Sequence, residues 1–248
     1  MKYQGSKNRT ASEIIPLMTS NLKKGDYFVD LFCGGCNLID KVPRDFIRLS
    51  NDNNDYLIEM WKALQNGWIG ETTIERALYN KARDAYNKHD YSSFTKADLG
   101  WIGHMASFNG RFFAGGYSGH NVQGSKGKPR DYISESIRNV INQLPAIKDV
   151  VFHCENYDNF ILPPADKCVL YCDIPYKGVK QYSTSKSFDY EAFYQWCRER
   201  NKDGYRIFVS EYNMPDDFEC IWEKPVLCSL NQTITKKPIE KLFTLQKI

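Results

Sequence analysis

Residues 168–178 read "CVLYCDIPYKG": five apolar residues that stop at an acid, an isoleucine, a proline and an aromatic ring. A short apolar run bounded by turn signals fits a strand buried on both faces, and the proline forbids its continuation inside a sheet. The neighbouring segments say which sheet. "DVVFHC" (149–154) lies before it as another strand candidate; after it comes a predicted helix over about 189–202 and then the strand "YRIFVSEY" (205–212). Asp189 suits the N-cap of that helix and Gly204 its stop. Upstream, "YFVDLF" (27–32) and "FIRLSND" (46–52) supply two further strands, and Leu57, Met60, Trp61 and Leu64 return at helical spacing. Strands alternating with helices predict an α/β fold, a doubly wound, mostly parallel Rossmann-like sheet.

Two smaller features sharpen the element boundaries. "TASE" (10–13) has the form of a capping box leading into Ile14, Ile15, Leu17 and Met18, with Pro16 either kinking that helix or marking its first turn. Ile133, Ile137, Val140, Ile141 and Leu144 mark another helix, expected to stop before Pro145. Between about 67 and 147 the α/β rhythm is broken by a stretch rich in glycine, aromatic and polar residues, including "GWIGHMASFNGRFFAGGYSGHNVQGSKGKPR" (100–130). Residues 1–66 and 148–248 are therefore expected to form one catalytic domain, with 67–147 as a mainly helical and looped insertion that has its own task.

Bulk properties exclude little beyond the extremes. The 248 residues are 42% hydrophobic and 25% charged, as in ordinary folded domains, and the net charge of +3 announces no polyanion partner by itself. No secretory leader and no membrane-length apolar run is visible, so a reducing, cytoplasmic setting with free thiols is expected for the eight cysteines. Cys33-x-x-Cys36 invites a zinc or redox reading, but no second pair of matching spacing follows, and no metal is expected.

The candidate chemistry sits at strand ends. Asp30, Phe32, Gly34 and Gly35 end the first sheet strand, where an open parallel sheet binds its ligands and where glycines admit a close approach. Asp52 ends the second, placed to accept hydrogen bonds from ribose hydroxyls. The loop is not G-x-G-x-x-G, which argues against a pyrophosphate cofactor, and Asp30 favours a cationic ligand over a phosphate. The plainer alternative is a tight turn at Gly34-Gly35 and a helix N-cap at Asp52. Asp173 ends the strand first quoted. Its carboxylate and the Ile174 carbonyl could accept two hydrogen bonds from an exocyclic amine, with Tyr176 offering a flat face to a planar heterocycle. Here too a strand-ending turn, with an aspartate capping a neighbour, is the alternative.

Taken together and in order, "YQGSK" (3–7), "DLFCGG" (30–35), "NDNN" (51–54), the insertion with "FNGRFFAGGYSG" (108–119) and "DIPY" (173–176) resemble the DNA adenine-N6 methyltransferases of the Dam type, which use S-adenosylmethionine. The resemblance implies that Tyr3 and Lys7 close over the cofactor, that Asp30, Phe32, Gly34 and Gly35 line its methionine side, and that Asp52 holds its ribose. Asn156 and Tyr157 would meet its adenine, Asn156 standing where the family usually has an acid. Asp173, Ile174, Pro175 and Tyr176 would form the catalytic corner around an adenine flipped out of double-stranded DNA. Ile174 replaces the family's first proline; it keeps the backbone carbonyl and loses a fixed φ, so a slower enzyme is expected. Asn109 and Arg111 match a base-reading region, and Lys126, Lys128 and Arg130 form a basic loop suited to phosphates. Methylation of RNA or of the cytosine N4 amine, and a silent relative that only binds DNA or cofactor, remain open on these residues. The small size and the degenerate motifs point to a bacterial or phage setting, whether as a restriction partner, in self-protection or in regulation.

Overall fold

A computed structural model of the chain describes residues 1–120, 122–123, 129–177, 188–225 and 239–245. In chain order the elements are α1 (Ala11–Thr19), β1 (Tyr27–Asp30), β2 (Ile47–Asn51), α2 (Asp55–Gln65), α3 (Arg76–Lys88), α4 (Lys96–Met105), β3 (Val122–Gln123), β4 (Pro129–Arg130), α5 (Tyr132–Ile147), β5 (Val151–His153), β6 (Cys168–Cys172), α6 (Tyr190–Lys202), β7 (Arg206–Glu211), β8 (Phe218–Pro225) and β9 (Ile239–Leu245). They fall into two compact units, one made of 1–9, 33–41 and 52–155, the other of 10–32, 42–51 and 156–248.

The second unit carries six strands in the order β2-β1-β6-β7-β9-β8. β1 pairs parallel with β2 and with β6, matching Asp30 to Ser50 and to Tyr171, and β6 pairs parallel with β7, matching Cys172 to Val209. Every residue of β6 is buried, as the unbroken apolar run requires. On one face Cys168, Leu170 and Cys172 join Val29, Leu31, Phe193, Cys197, Ile207 and Val209 in one core. The Asp189 carboxylate caps α6 by accepting the Ala192 N–H at 3.0 Å, and Gly204, at φ +92°, follows the helix as a residue free of Cβ strain. The α/β, Rossmann-like class expected from the sequence is the class found. What the pattern missed is β8 and β9, an antiparallel pair that joins β7 through β9 and carries a register shift between Cys220 and Trp222.

Helices dominate the first unit. Gly100 of α4 lies so close to α2 that a Cβ there would stand 2.2 Å from the Tyr56 carbonyl oxygen. Trp61 of α2, Trp101 of α4 and Tyr79 of α3 are fully buried. All of 67–147 that is described belongs to this unit.

Two local expectations and one alternative reading are corrected. Thr10 occupies the N-cap of α1 without a side-chain cap bond, so the capping box does not form. α5 runs through Pro145 to Ile147; a proline this near the end disturbs only the final turn, on a stretch whose Ile141 is already exposed. Asp52 does not cap α2: Asn54 does, accepting the Leu57 N–H at 3.3 Å. Among the described residues, no helix is long and apolar enough to cross a membrane, and no group of three or more His, Cys, Asp or Glu is placed to hold a metal ion.

Candidate active site

In the first unit the glycine loop is a hydrogen-bonded turn, with the Cys36 N–H donating to the Cys33 carbonyl at 2.8 Å. Gly34 has φ +46°, which a glycine adopts without strain. Asp52 organises this turn: one carboxylate oxygen accepts the Gly34 N–H and the other the Asn54 N–H, both at 3.0 Å. Burial raises the Asp52 carboxyl above its usual value, and these two amides oppose the rise. On its other side the Gly34 carbonyl accepts from the Trp61 indole at 3.2 Å.

The reason for two glycines is Tyr3. A Cβ on Gly34 would meet Tyr3 Cε1 at 2.6 Å, and one on Gly35 would meet Tyr3 Cβ at the same distance. The N-terminal segment thus lies directly on the loop, and Lys7, buried, donates to the Gly5 carbonyl at 3.1 Å. Gln143 of α5 fixes the loop from below through the Gly35 and Cys36 carbonyls, at 3.1 and 2.9 Å.

The "FNGRF" segment (108–112) follows α4 in the same unit and is wound tightly, with Asn109 and Gly110 at positive φ and Phe113, the next residue, at positive φ as well. Asn109 is exposed, while the Nε of Arg111 is buried without a hydrogen-bond partner among the described residues. His104 of α4 holds the turn, its Nδ1 lying 3.1 Å from the Gly110 carbonyl, with its ring 5.8 Å from that of Tyr3. Arg130 makes a bidentate pair with Glu135, both bonds 2.8 Å, and Lys2 reaches the same carboxylate at 3.1 Å. Lys126 and Lys128 lie outside the described residues.

Burial pushes the His104 imidazole down to about 4, against the opposing bond to Gly110. Its folded value lies below its unfolded one, so its contribution to stability is complete above about pH 6.5 and is lost as pH falls towards 4. Urea unfolding at pH 7 and pH 5 is expected to show wild-type protein losing about 2 kcal/mol more over that interval than a His104→Phe variant. Equal losses in both proteins would refute the buried neutral imidazole.

The second unit holds the corner at the end of β6. Asp173 follows the last strand residue and is half-buried, and the Ile174 side chain, 2% exposed, is part of the core. The Pro175 carbonyl accepts from the Tyr190 hydroxyl at 2.9 Å. Tyr176 donates its hydroxyl to Glu240 at 2.7 Å and sets its ring edge-to-face with Tyr212 at 4.6 Å. Burial first, then the charges of Asp173 and Glu240, push the Tyr176 hydroxyl well above its ordinary value, so it stays protonated as a donor. At the end of β1, Asp30 is buried and Phe32 packs 5.7 Å from the Tyr157 ring. Asn156 is exposed, its side-chain oxygen accepting the Tyr157 N–H at 3.1 Å.

Sequence reasoning found the acids after β1, β2 and β6 but passed over Glu211, which ends β7 in the same way. The rule that ligands gather at carboxyl strand ends would have reached it. Glu240 and Tyr212 carried no such signal, since their place depends on β9 and on the turn after β7.

A mostly parallel sheet with acids at the carboxyl ends of β1, β6 and β7 places the chain in the Rossmann-like α/β class. Within that class, the model of the D12 class N6 adenine-specific DNA methyltransferases matches residues 3–215, and the chain belongs to that family. Comparison with curated proteins finds no match. Among solved structures the chain is similar to SMU.472, a methyltransferase candidate complexed with SAH, at 14% identity and a TM-score of 0.38; the similarity covers all of this chain and 55% of that one.

Proposed function

We propose that the chain moves a methyl group from S-adenosylmethionine to the N6 amine of an adenine flipped out of double-stranded DNA. The observation that carries this reading is the corner at the end of β6, where Asp173 and the Ile174 carbonyl follow a fully buried strand and Tyr176 is held by Glu240 and Tyr212.

The N6 nitrogen is a poor nucleophile because its lone pair is delocalised into the purine ring. Asp173 and the Ile174 carbonyl accept hydrogen bonds from its two N–H groups, which favours a tetrahedral nitrogen with a localised lone pair. Tyr176 stacks on the base and fixes its plane, and Asp173 stabilises the positive charge that develops on the nitrogen until one of the two N6 protons leaves to solvent. S-adenosylmethionine, when bound, supplies an electrophilic methyl on a sulfonium.

The donor set present suits that cofactor. Asp52 still has acceptor capacity for ribose hydroxyls beyond its two amide bonds, Asp30 and Phe32 would line the cationic methionine side, and Tyr157, packed against Phe32, offers a ring suited to the purine. Tyr3 and Lys7 would close over the cofactor beside Gly34 and Gly35, and Asn156 would accept from its adenine amine. In 67–147, read as the target-recognition region, Asn109 and Arg111 would face bases, while Arg130, Lys126 and Lys128 would face phosphates.

Incubation with radiolabelled S-adenosylmethionine and mixed-sequence duplex DNA, followed by digestion to nucleosides, is expected to yield N6-methyladenine. Label in N4-methylcytosine, label only with RNA, or none at all would overturn the proposal.

A further inference from the structure

The corner has only Pro175 to fix its backbone, because Ile174 stands where the resemblance expects a first proline. Other groups restrain it. The Ile174 side chain is locked into the core, and the Tyr190 hydroxyl holds the Pro175 carbonyl. Beyond Tyr176 the restraint comes from Glu211, the last residue of β7 and 1% exposed. One of its carboxylate oxygens accepts the Lys177 N–H at 2.5 Å. The other accepts the N–H groups of Tyr212 and of Asn213, the latter at 3.3 Å. Tyr212 and Asn213 are local, and a glutamate capping its own turn needs nothing more; Lys177 lies 34 residues away and belongs to the other strand end. The ring that follows Glu211, Tyr212, in turn meets the Tyr176 ring.

We infer that Glu211 is the positioning residue of the Asp173–Tyr176 corner, its carboxylate tying the backbone just after Tyr176 to the end of β7 and replacing the rigidity of the missing proline. The inference rests on the reading of that corner as the methyl-acceptor site. The chemistry explains why the residue is an acid. A carboxylate offers two oxygens and no donor, so it takes three N–H groups at once, whereas an amide would turn an NH2 towards at least one of them. Burying an acid is costly unless such charge-assisted bonds satisfy it, and here three do.

Two variants of the full chain test it, Glu211→Asp and Glu211→Gln. Aspartate keeps the charge and can still cap the turn at Tyr212 and Asn213, but is one methylene too short to hold Lys177 as well. In Glu211→Asp, kcat for methyl transfer to DNA is expected to fall about 10- to 100-fold, while KM for S-adenosylmethionine stays within about twofold. Hydrogen exchange at the Lys177 amide is expected to speed up in both variants. An active wild type whose kcat survives Glu211→Asp, or a Lys177 amide that exchanges at the wild-type rate in both variants, would overturn the inference and leave the methyltransferase reading standing. A fall in kcat matched by an equal rise in KM and a lower melting temperature would assign Glu211 a purely structural role, which also overturns it. A wild type that transfers no methyl group would remove the active-site reading itself, and the positioning role with it.

Discussion

Asp173→Ala is expected to lower the rate of methyl transfer by about 10³-fold, or about 4 kcal/mol of transition-state stabilisation, with the affinity for S-adenosylmethionine nearly unchanged. The asymmetry follows from where the residue sits. Asp173 is one residue beyond β6, whose ladder to β7 pairs Cys172 with Val209 and so fixes the direction in which the chain leaves the sheet. Its proposed partner is the acceptor amine, and other residues are proposed to hold the cofactor: Asp52 its ribose, and Asn156 and Tyr157 its purine. Without the carboxylate, only the Ile174 carbonyl would remain to localise the nitrogen lone pair, and nothing would balance the developing charge. Asp173→Asn should fare no better, because its amide can turn a donor towards an amine that is itself a donor. Single-turnover transfer from labelled cofactor and calorimetric binding of the cofactor measure the two halves of this statement. A variant within tenfold of wild-type turnover would show that Asp173 is not the acceptor of the amine.

The fold was legible where burial makes sequence one-dimensional. β6 announces itself because a strand covered on both faces must be apolar throughout, and α6 because Asp189 and Gly204 do local jobs that need no partner elsewhere. β8 escaped notice for the opposite reason: of Phe218–Pro225 only Phe218 is buried, so charged residues dilute the signal and pairing with β9 defines the strand. Pro145 shows that a rule about helix interiors weakens within a turn of the end.

The same division holds for the candidate site. Acids at strand ends follow from topology, so Asp30, Asp52 and Asp173 could be placed from the chain alone, and Glu211 could have been. The contacts that give those acids their settings are long-range: Tyr3 on Gly34 and Gly35, Lys177 on Glu211, Tyr176 on Glu240. No spacing within the sequence encodes them. The slower enzyme expected from Ile174 was argued from the lost φ restraint alone, because neither the packing of its side chain in the core nor the bond from the Lys177 N–H to Glu211 is visible in the spacing of residues.

Gly110→Ala is expected to destabilise the protein by about 3 kcal/mol, which for a chain of this size lowers the melting temperature by roughly 10 °C. Two penalties combine. Gly110 has φ +67°, where any L side chain is strained by about 1 kcal/mol. A Cβ there would also stand 2.2 Å from the Lys2 carbonyl oxygen, a backbone atom that cannot rotate aside. Gly116 separates the two, since it has φ +74° but nothing within 4 Å of its would-be Cβ. Gly116→Ala should therefore lose only about the strain of 1 kcal/mol, and the difference between the variants measures the crowding. The chain can escape that crowding by lifting its N-terminal segment. Because Tyr3 follows Lys2 and lies on Gly34 and Gly35, such a movement would uncover the glycine loop and weaken cofactor binding in Gly110→Ala alone. Thermal melts of both variants, with calorimetric titration of S-adenosylmethionine into each, decide the matter: equal melting temperatures would mean that Lys2 does not press on Gly110, and equal cofactor affinities that Tyr3 does not need to rest on the loop.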